Sequence, residues 1–398
     1  VMTGLSAYYD VLLILLAAVV ALYVVYGGII AVMYNDALQA GIMFVGMVVI
    51  LIMTYSMFGG MGSAHTQLSN LWNEGIVDQA GTLIGARGWT SISEFGSQEW
   101  MLVVTTFLMG VGIGSLTQPQ LVVRFMSARD DKTLYKSMAI GAIFMFVVVG
   151  AAYTIGPLSN IYFVDKYGVG AYEYIASLGL GTDFIIPQFL TEVFGRFANA
   201  TFGDLFLSLF LLALLSASIS TLSALMHTIG VAGGYDLFTL AKNKFYGEER
   251  DSRSIRVNRI FTMLVLVVVV AVCYLMPNDI IAKATSVFMG MTAAALLPAY
   301  AHGLYSKNPS KSAATVSMAA GTSVYLFWAL FMNVGTATFL PICKILTGSN
   351  VLLPGTLLSF LDAVIVALPV SIIAMIVMLL INRSEERRVG KECRSRWS

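Results

Sequence analysis

The sequence predicts an all-α, polytopic membrane protein, and three observations support this fold class. Of the 398 residues, 58% are hydrophobic and only 11% are charged, and the mean hydropathy is +0.82. Soluble domains carry about a quarter charged residues. About nine stretches of the chain are apolar over the roughly 20 residues that a bilayer-crossing helix needs. The loops between them alternate between rich and poor in Lys and Arg, as multi-pass proteins require.

The predicted spans are distributed along the chain from residue 9 to residue 381. Several exceed the minimum length, so we expect tilt or partial unwinding in them. They cover residues 9–27, 29–58, 99–126, 134–158, 203–240, 257–276, 279–305, 312–334 and 356–381.

Basic residues predict the orientation of these spans. The loops that begin at Arg129, Lys242 and Lys307 carry clustered Lys and Arg, whereas segments 59–98 and 159–202 carry few. Because short cytoplasmic loops hold the positive excess, the first group is expected inside the cell and the second outside. The sequence therefore predicts a multi-pass protein of the plasma membrane, with residue 1 outside and residue 382 inside.

The two ends of the chain suggest different origins. The first residue is Val1, and the first apolar stretch follows without the charged region and cleavage site of a signal peptide, so we expect the natural protein to begin earlier. Residues 383–398 switch abruptly to high charge and resemble a vector-encoded scar; a natural cytoplasmic tail is the alternative. We therefore expect one membrane domain over residues 1–382.

Composition and motifs argue against several classes of function. The net charge of +1 gives no basic field of the kind that nucleic-acid binding needs. Cys273, Cys343 and Cys393 are spaced as neither metal ligands nor a disulfide framework. HExxH, GxSxG, Walker and dinucleotide-binding motifs do not occur in the sequence. We therefore expect a protein that is not an enzyme, has no organic cofactor and does not bind nucleic acid.

A carboxylate lies one to two turns inside the second predicted span. Asp36 follows Asn35 and precedes Gln39 in the second span. Ionisable groups inside a membrane are costly, so each is a functional hypothesis. An interfacial Asp that hydrogen-bonds a neighbouring helix explains it equally well, and both interpretations stay open.

The span 203–240 has one face of small and hydroxyl residues at helical spacing. Close helix packing explains such a face most simply. The alternative is a sodium site, because a hard cation prefers oxygen ligands such as hydroxyls and freed carbonyls. The face consists of Ala213, Ala217, Ser220, Thr221, Ala224 and Thr228.

The span 99–126 is interrupted by Gly110, Gly112, Gly114 and Pro119. Glycine and proline at mid-membrane depth release backbone groups that are tolerated where they face a cavity. Discontinuous helices of this kind often mark the binding site of a transporter. A glycine-packed continuous helix is the alternative.

Four segments together resemble the sodium:solute symporter family. Thr117–Asp130 is similar to the family's Gln-Pro-x-x-x-x-Arg-Phe-Met run, and Ser216–Phe238 to its Ser-Thr helix that ends in an Asp-Leu pair. Tyr26–Gln39 resembles its Tyr-Gly-Gly helix, and Leu296–Gly321 its late Pro…Gly-Leu-Tyr segment. The resemblance covers almost all of residues 9–382. It implies a five-plus-five inverted-repeat core in which residue 9 begins the fourth core helix and the first core helices are missing.

The resemblance also implies a sodium site. Ala217 would offer its carbonyl, Ser220 and Thr221 their hydroxyls, and Asp36 would support the site from the neighbouring helix. The other half of the site is expected from the missing helices, so we expect the polypeptide as given not to transport.

For the solute, the resemblance implies a cavity bordered by Val111, Ser115, Gln118 and Pro119. Val111 and Ser115 stand where some family members have bulky aromatic residues, so the solute stays open among small organic acids, amino acids and vitamins. The expected function is sodium-coupled symport of such a solute by alternating access, with Na⁺ as the co-transported ion, the lipid bilayer as surroundings and no obligate protein partner. A solute-sensing module of a signalling protein is the alternative, and a channel is a third.

Overall fold

The computed structural model describes residues 8–73, 89–194, 200–238, 240–241, 255–275, 281–338 and 340–395. Within these ranges all regular secondary structure is helical. The helices are α1 (Tyr9–Met57), α2 (Met61–Asn73), α3 (Gln98–Thr117), α4 (Pro119–Met126), α5 (Asp131–Tyr167), α6 (Ala171–Ser177), α7 (Ile185–Phe194), α8 (Ala200–Val231), α9 (Ile255–Leu275), α10 (Ile281–Tyr305), α11 (Lys311–Phe331), α12 (Val334–Ala337), α13 (Ile342–Thr347) and α14 (Ala363–Ser395).

Some of these helices include or adjoin other helical forms. Helix α3 begins as a short α-helical turn, continues as a π-helix over Met101–Val111 and ends as a 3-10 turn over Ser115–Thr117. A π-helical turn, Ala232–Leu237, follows α8. Single 3-10 turns cover Thr182–Phe184 and Leu357–Phe360.

Eight helices among the described residues are long and apolar enough to cross a membrane, which confirms the predicted fold class. They are α1, α3, α5, α8, α9, α10, α11 and the first part of α14, Ala363–Asn382. Sequence reasoning counted nine spans because it divided α1 into two.

Helix α1 is continuous in hydrogen bonding but changes direction at Gly28. This residue has φ 60° and ψ −158°, a conformation that only glycine adopts readily. A straight helix of 49 residues would be about 74 Å long, more than twice the roughly 30 Å hydrocarbon core of a bilayer. The break therefore yields two halves that match the predicted stretches 9–27 and 29–58.

The chain divides into two compact units. The first unit contains the described residues of Val1–Thr90 and Ala128–Asn278, and thus α1, α2 and α5 to α9. Its core surrounds Ile50, Leu158 and Phe189. Helices α1 and α8 approach closely, since a Cβ added at Gly46 would lie 2.8 Å from Ala213 Cβ. Small residues at such contacts allow the van der Waals packing that holds membrane helices together.

The second unit contains the described residues of Ser91–Ser127 and Asp279–Ser398. Its core joins α10, α11 and α14 around the fully buried Tyr325 and small residues. A Cβ at Gly321 would lie 2.1 Å from the carbonyl oxygen of Ala294, so these helices also pack through a glycine. Ser317 and Ser371 exchange buried hydrogen bonds between α11 and α14.

The amphipathic segments between α5 and α8 fold as α6 and α7. Phe189, Leu190, Val193 and Phe194 of α7 are buried in the core of the first unit. The two helices are therefore packed parts of that unit.

Helix α14 extends past the predicted membrane domain. Its apolar part ends at Asn382, which agrees with the predicted limit of the last span, and the backbone stays helical to Ser395. The foreign origin of residues 383–398 stays a prediction.

Candidate functional site

The intramembrane carboxylate lies on α1 and contacts α8. Ser220 Oγ donates a hydrogen bond of 2.8 Å to Asp36 Oδ1, and Ser223 Oγ lies 3.5 Å from the same oxygen. Ser223 also donates to the carbonyl oxygen of Ser220 at 2.9 Å and is fully buried. A carboxylate and two hydroxyls thus meet between two apolar helices of the first unit. The contact is consistent with both interpretations of Asp36.

The spacing of residues on α8 explains which hydroxyl faces Asp36. Ser220 and Ser223 are three positions apart and share a face, whereas successive residues of an α-helix point about 100° apart. Thr221 is therefore turned from Asp36 and is exposed. Its hydroxyl donates to the carbonyl oxygen of Ala217 at 3.0 Å. Two of the expected sodium ligands contact each other in this way, on the exposed side of α8.

Two further polar groups accompany Asp36, of which sequence reasoning named Gln39 and missed Ser223. Ser223 is absent from the small-residue face described above, although its position three residues after Ser220 was visible in the sequence. Gln39 lies one turn after Asp36 on α1, is 7% exposed, and its buried Oε1 has no hydrogen-bond partner among the described residues. An unpaired buried acceptor costs about 1–3 kcal/mol. The site therefore has acceptor capacity that a cation would satisfy.

The predicted discontinuous helix lies in the second unit. Helix α3 ends at Thr117, Gln118 is extended with ψ 124°, and α4 begins at Pro119. Proline suits the first position of a helix because its missing N–H has no helical partner there. Thr117 Oγ1 donates to the carbonyl oxygen of Thr292 at 3.3 Å and joins the break to α10.

A glycine permits the close contact between α3 and α10. A Cβ at Gly114 would lie 2.3 Å from the carbonyl oxygen of Met289. The neighbouring Gly112 has nothing within 4 Å of its added Cβ. Only one of the two glycines is therefore required by packing.

The four residues expected to border the solute cavity lie before, at or directly after this break. Val111, Ser115 and Pro119 are half-buried, and Ser115 Oγ donates to the carbonyl oxygen of Gly112 at 2.8 Å. Gln118 is 3% exposed. Its Oε1 accepts from Gln120, while its buried Nε2 has no hydrogen-bond partner among the described residues. The break thus contains a buried N–H donor without a partner among the described residues. An oxygen atom of a solute could accept a hydrogen bond from it.

Asp36, Ser220 and Thr221 belong to the first unit, and the α3 break belongs to the second. Among the described residues, no group of three His, Cys, Asp or Glu is arranged to hold a metal ion. The oxygen-rich group at Asp36 is of the kind that suits an alkali cation.

Comparison with known families gives one match that covers most of the chain. The model of the sodium:solute symporter family matches residues 1–321. The chain belongs to the sodium:solute symporter family.

Two curated relatives that are similar in sequence to this chain are named as proline transporters. The osmoregulated proline transporter OpuE of Bacillus subtilis (strain 168) is 25% identical over 366 residues, which are 92% of this chain and 64% of that protein. The sodium/proline symporter of Staphylococcus aureus (strain JH9) is 25% identical over 316 residues, 79% of this chain and 54% of that protein. The chain thus spans between about half and two thirds of the length of these relatives.

Membership of the sodium:solute symporter family, together with the eight apolar helices, makes this chain a multi-pass protein of the cell membrane. By its description the family consists of symporters and not of enzymes. This confirms the prediction from the sequence that the protein is not an enzyme.

Proposed function

We propose that this chain is the transport domain, over residues 1–382, of a symporter that couples sodium to the uptake of a small organic solute. The observation that carries the proposal is the contact of Asp36 with Ser220 and Ser223 inside a protein of this family. A half-buried carboxylate beside hydroxyls and an unpaired amide oxygen supplies the charge and the ligands that a sodium ion needs.

The proposed sodium ligands are the Ala217 carbonyl and the hydroxyls of Ser220 and Thr221. Asp36 compensates the charge through Ser220, at 2.8 Å. The hydrogen bond from Thr221 to the Ala217 carbonyl would open when the ion binds, because both oxygens would then face the cation.

The proposed solute site lies at the α3 break, bordered by Val111, Ser115, Gln118 and Pro119. The unpaired amide of Gln118 supports it, since a carboxylate or carbonyl oxygen of a solute would satisfy that donor. Both relatives are named for proline, so proline is the first solute to test.

The proposed mechanism is alternating access, in which sodium stabilises the outward-open state and so favours solute loading. One charge that crosses 100 mV yields about 2.3 kcal/mol. At about 1.4 kcal/mol per decade, this concentrates a neutral solute roughly 50-fold. One sodium ion is therefore sufficient for useful uptake.

The test is uptake of labelled proline, and then of other amino acids, small acids and vitamins, into proteoliposomes that contain the full-length protein. We expect accumulation with external sodium and none with potassium. The Ser220→Ala/Thr221→Ala double variant should lose it. Ser218→Ala is the matched control, because Ser218 is an exposed hydroxyl on the same helix that donates to the Leu214 carbonyl.

Two results would contradict the proposal: accumulation at the same rate without sodium, or unchanged sodium dependence in the double variant. Sodium-stimulated solute binding without any accumulation would favour the sensor module instead.

A further inference from the structure

A cavity in the second unit lies outside the residues assigned to sodium or solute. Its volume is about 330 Å³, and it lies between the start of α3, the α11–α12 turn and the residues before α14. None of Val111, Ser115, Gln118 and Pro119 lines it. The polar residues and the aromatic ring that line it include Glu99, Thr106, Ser286, Asn333, Phe360 and Asp362.

The carboxyl group of Asp362 is the most buried charge of this cavity. Asp362 is 6% exposed. Its backbone N–H donates to Thr105 Oγ1 at 3.1 Å, and its Oδ1 accepts from the N–H of Val364 at 2.9 Å. The position of the side chain is therefore fixed by both α3 and the first turn of α14.

Asp362 has no basic partner in the part of the chain that the structure describes. No Lys, Arg or His lines the cavity, and the ion pair found among the described residues is Lys166–Glu192, in the other unit. A buried carboxylate is costly unless it is paired with an opposite charge as well as hydrogen-bonded, and Asp362 has hydrogen bonds without such a charge. A cationic ligand would remove that cost.

Two neighbouring polar groups are already committed, and Thr106 is one of them, since its hydroxyl is hydrogen-bonded to the Asp362 carboxyl group. Asn333 Nδ2 donates to the Leu361 carbonyl, and its Oδ1 accepts from the Thr336 N–H. These bonds hold the α11–α12 turn against the residue before Asp362. Asp362 is thus the charged acceptor that faces the cavity, rather than one member of a dense oxygen cage.

Size and lining favour an organic cation over a metal ion. A metal ion needs several oxygens at about 2–2.6 Å, which a cavity of this volume with largely apolar walls does not supply. Leu102, Val334 and Phe360 line the walls. An aromatic ring attracts ammonium groups through its face. Exposed Glu99 adds negative charge at the rim, and a ligand carboxylate would find no basic partner here.

We propose that this cavity binds a small organic ammonium cation, with Asp362 as its counter-ion. The cavity begins at the N-terminal end of α3, which the distribution of Lys and Arg assigns to the outside of the cell. The site is independent of the sodium-coupled transport proposed above, since it uses none of the same residues.

The test is calorimetric titration of the full-length protein in nanodiscs with isobutylammonium and with tetramethylammonium, at constant sodium and ionic strength. The probes for comparison are isobutanol, which has the same shape without charge, and isobutyrate, which has the opposite charge. We expect saturable binding of the cations only. Asp362→Asn should weaken it about 10- to 100-fold, as expected for loss of a charge-assisted contact.

Two further variants separate binding from folding. Val334→Phe fills the cavity without altering the carboxyl group and should also abolish cation binding. Glu94→Gln removes an exposed carboxylate that does not line the cavity and should bind the cations as the unaltered protein does. Three results would each overturn the proposal. They are the absence of binding for both cations, binding of isobutanol as tight as that of the cations, and unchanged cation affinity in a folded Asp362→Asn or Val334→Phe protein.

Discussion

At the scale of single residues, buried and half-buried polar groups of this protein are joined into small clusters. Outside the membrane-spanning segments, Glu192 of α7 is the centre of one. Its carboxylate accepts hydrogen bonds from Lys166, Tyr162, Tyr167 and Gln188. These bonds join α7 to the end of α5.

The pKa of Glu192 follows from this cluster. Partial burial alone would raise the pKa, but the hydrogen bonds from Lys166, Gln188 and the two tyrosines outweigh burial and lower it to about 2. The folded state therefore favours the ionised carboxylate. Its stabilising contribution is present above the ordinary pKa of 4.5 and is lost as the pH falls from there to about 2.

We therefore predict that Glu192→Gln lowers the melting temperature at pH 7 and flattens its dependence on pH below 4.5. Loss of a charged hydrogen-bond acceptor costs about 1.5–3 kcal/mol. The measurement is thermal unfolding of the purified protein between pH 3 and 7. Asp165→Asn, an exposed carboxylate near the same end of α5, is the control and should change neither quantity. Parallel pH profiles of Glu192→Gln and the unaltered protein would contradict the assignment.

At the scale of elements, two glycines in one helix have different roles. Gly114 of α3 lies against the Met289 carbonyl of α10, with 2.3 Å to an added Cβ, while Gly112 faces open space. Sequence alone could not separate them, because both belong to the same run of alternating glycines. The difference depends on which side of α3 meets α10.

The two glycines form a matched pair for mutation. Gly114→Ala forces α3 from α10 and should destabilise the protein by about 1–3 kcal/mol, as overpacking does. It should also weaken solute binding if the α3 break is the solute site. Gly112→Ala adds the same methyl group where no atom lies within 4 Å of it, and it should leave the melting temperature unchanged or slightly raised. Equal melting temperatures for both variants would show that α3 does not pack against α10 in this way.

At the scale of the whole molecule, the break at Gly28 decides how many times α1 crosses the membrane. With two crossings, Tyr9 and Met57 at the two ends of α1 lie on the same side. The distribution of Lys and Arg predicts that this side is the outside and that the loop near Lys132 is inside.

Cysteine labelling in intact cells tests this topology. In a cysteine-free background, Asp10→Cys and Ser63→Cys should react with a membrane-impermeant maleimide, and Lys132→Cys should react only after permeabilisation. All three positions are exposed. Labelling of only one of Asp10→Cys and Ser63→Cys from the outside would mean that α1 crosses the membrane once, and labelling of Lys132→Cys alone would mean that the orientation is reversed.

The sequence predicted the spans well because apolar length alone defines a bilayer-crossing segment. It also predicted the break before Pro119, since proline and glycine act locally. It could not identify Ser223 as a neighbour of Asp36, because this depends on how α8 faces α1. Asp362 was missed for a related reason. Asp362 lies within the predicted span 356–381, but only the packing of α3 against the start of α14 shows that its carboxyl group is buried.

The π-helical part of α3 has a consequence for the register of the chain. Met101–Val111 forms hydrogen bonds to the fifth residue, so each turn holds more residues than an α-helical turn and is wider. A single-residue deletion within it would allow a return to ordinary helical winding. Because the tighter winding takes up the missing residue, the side chains after the deletion would largely keep their direction, whereas a deletion from an α-helical stretch would rotate them by about 100°. The π-helical part of α3 is therefore expected to tolerate the loss of one residue better than the α-helical spans do.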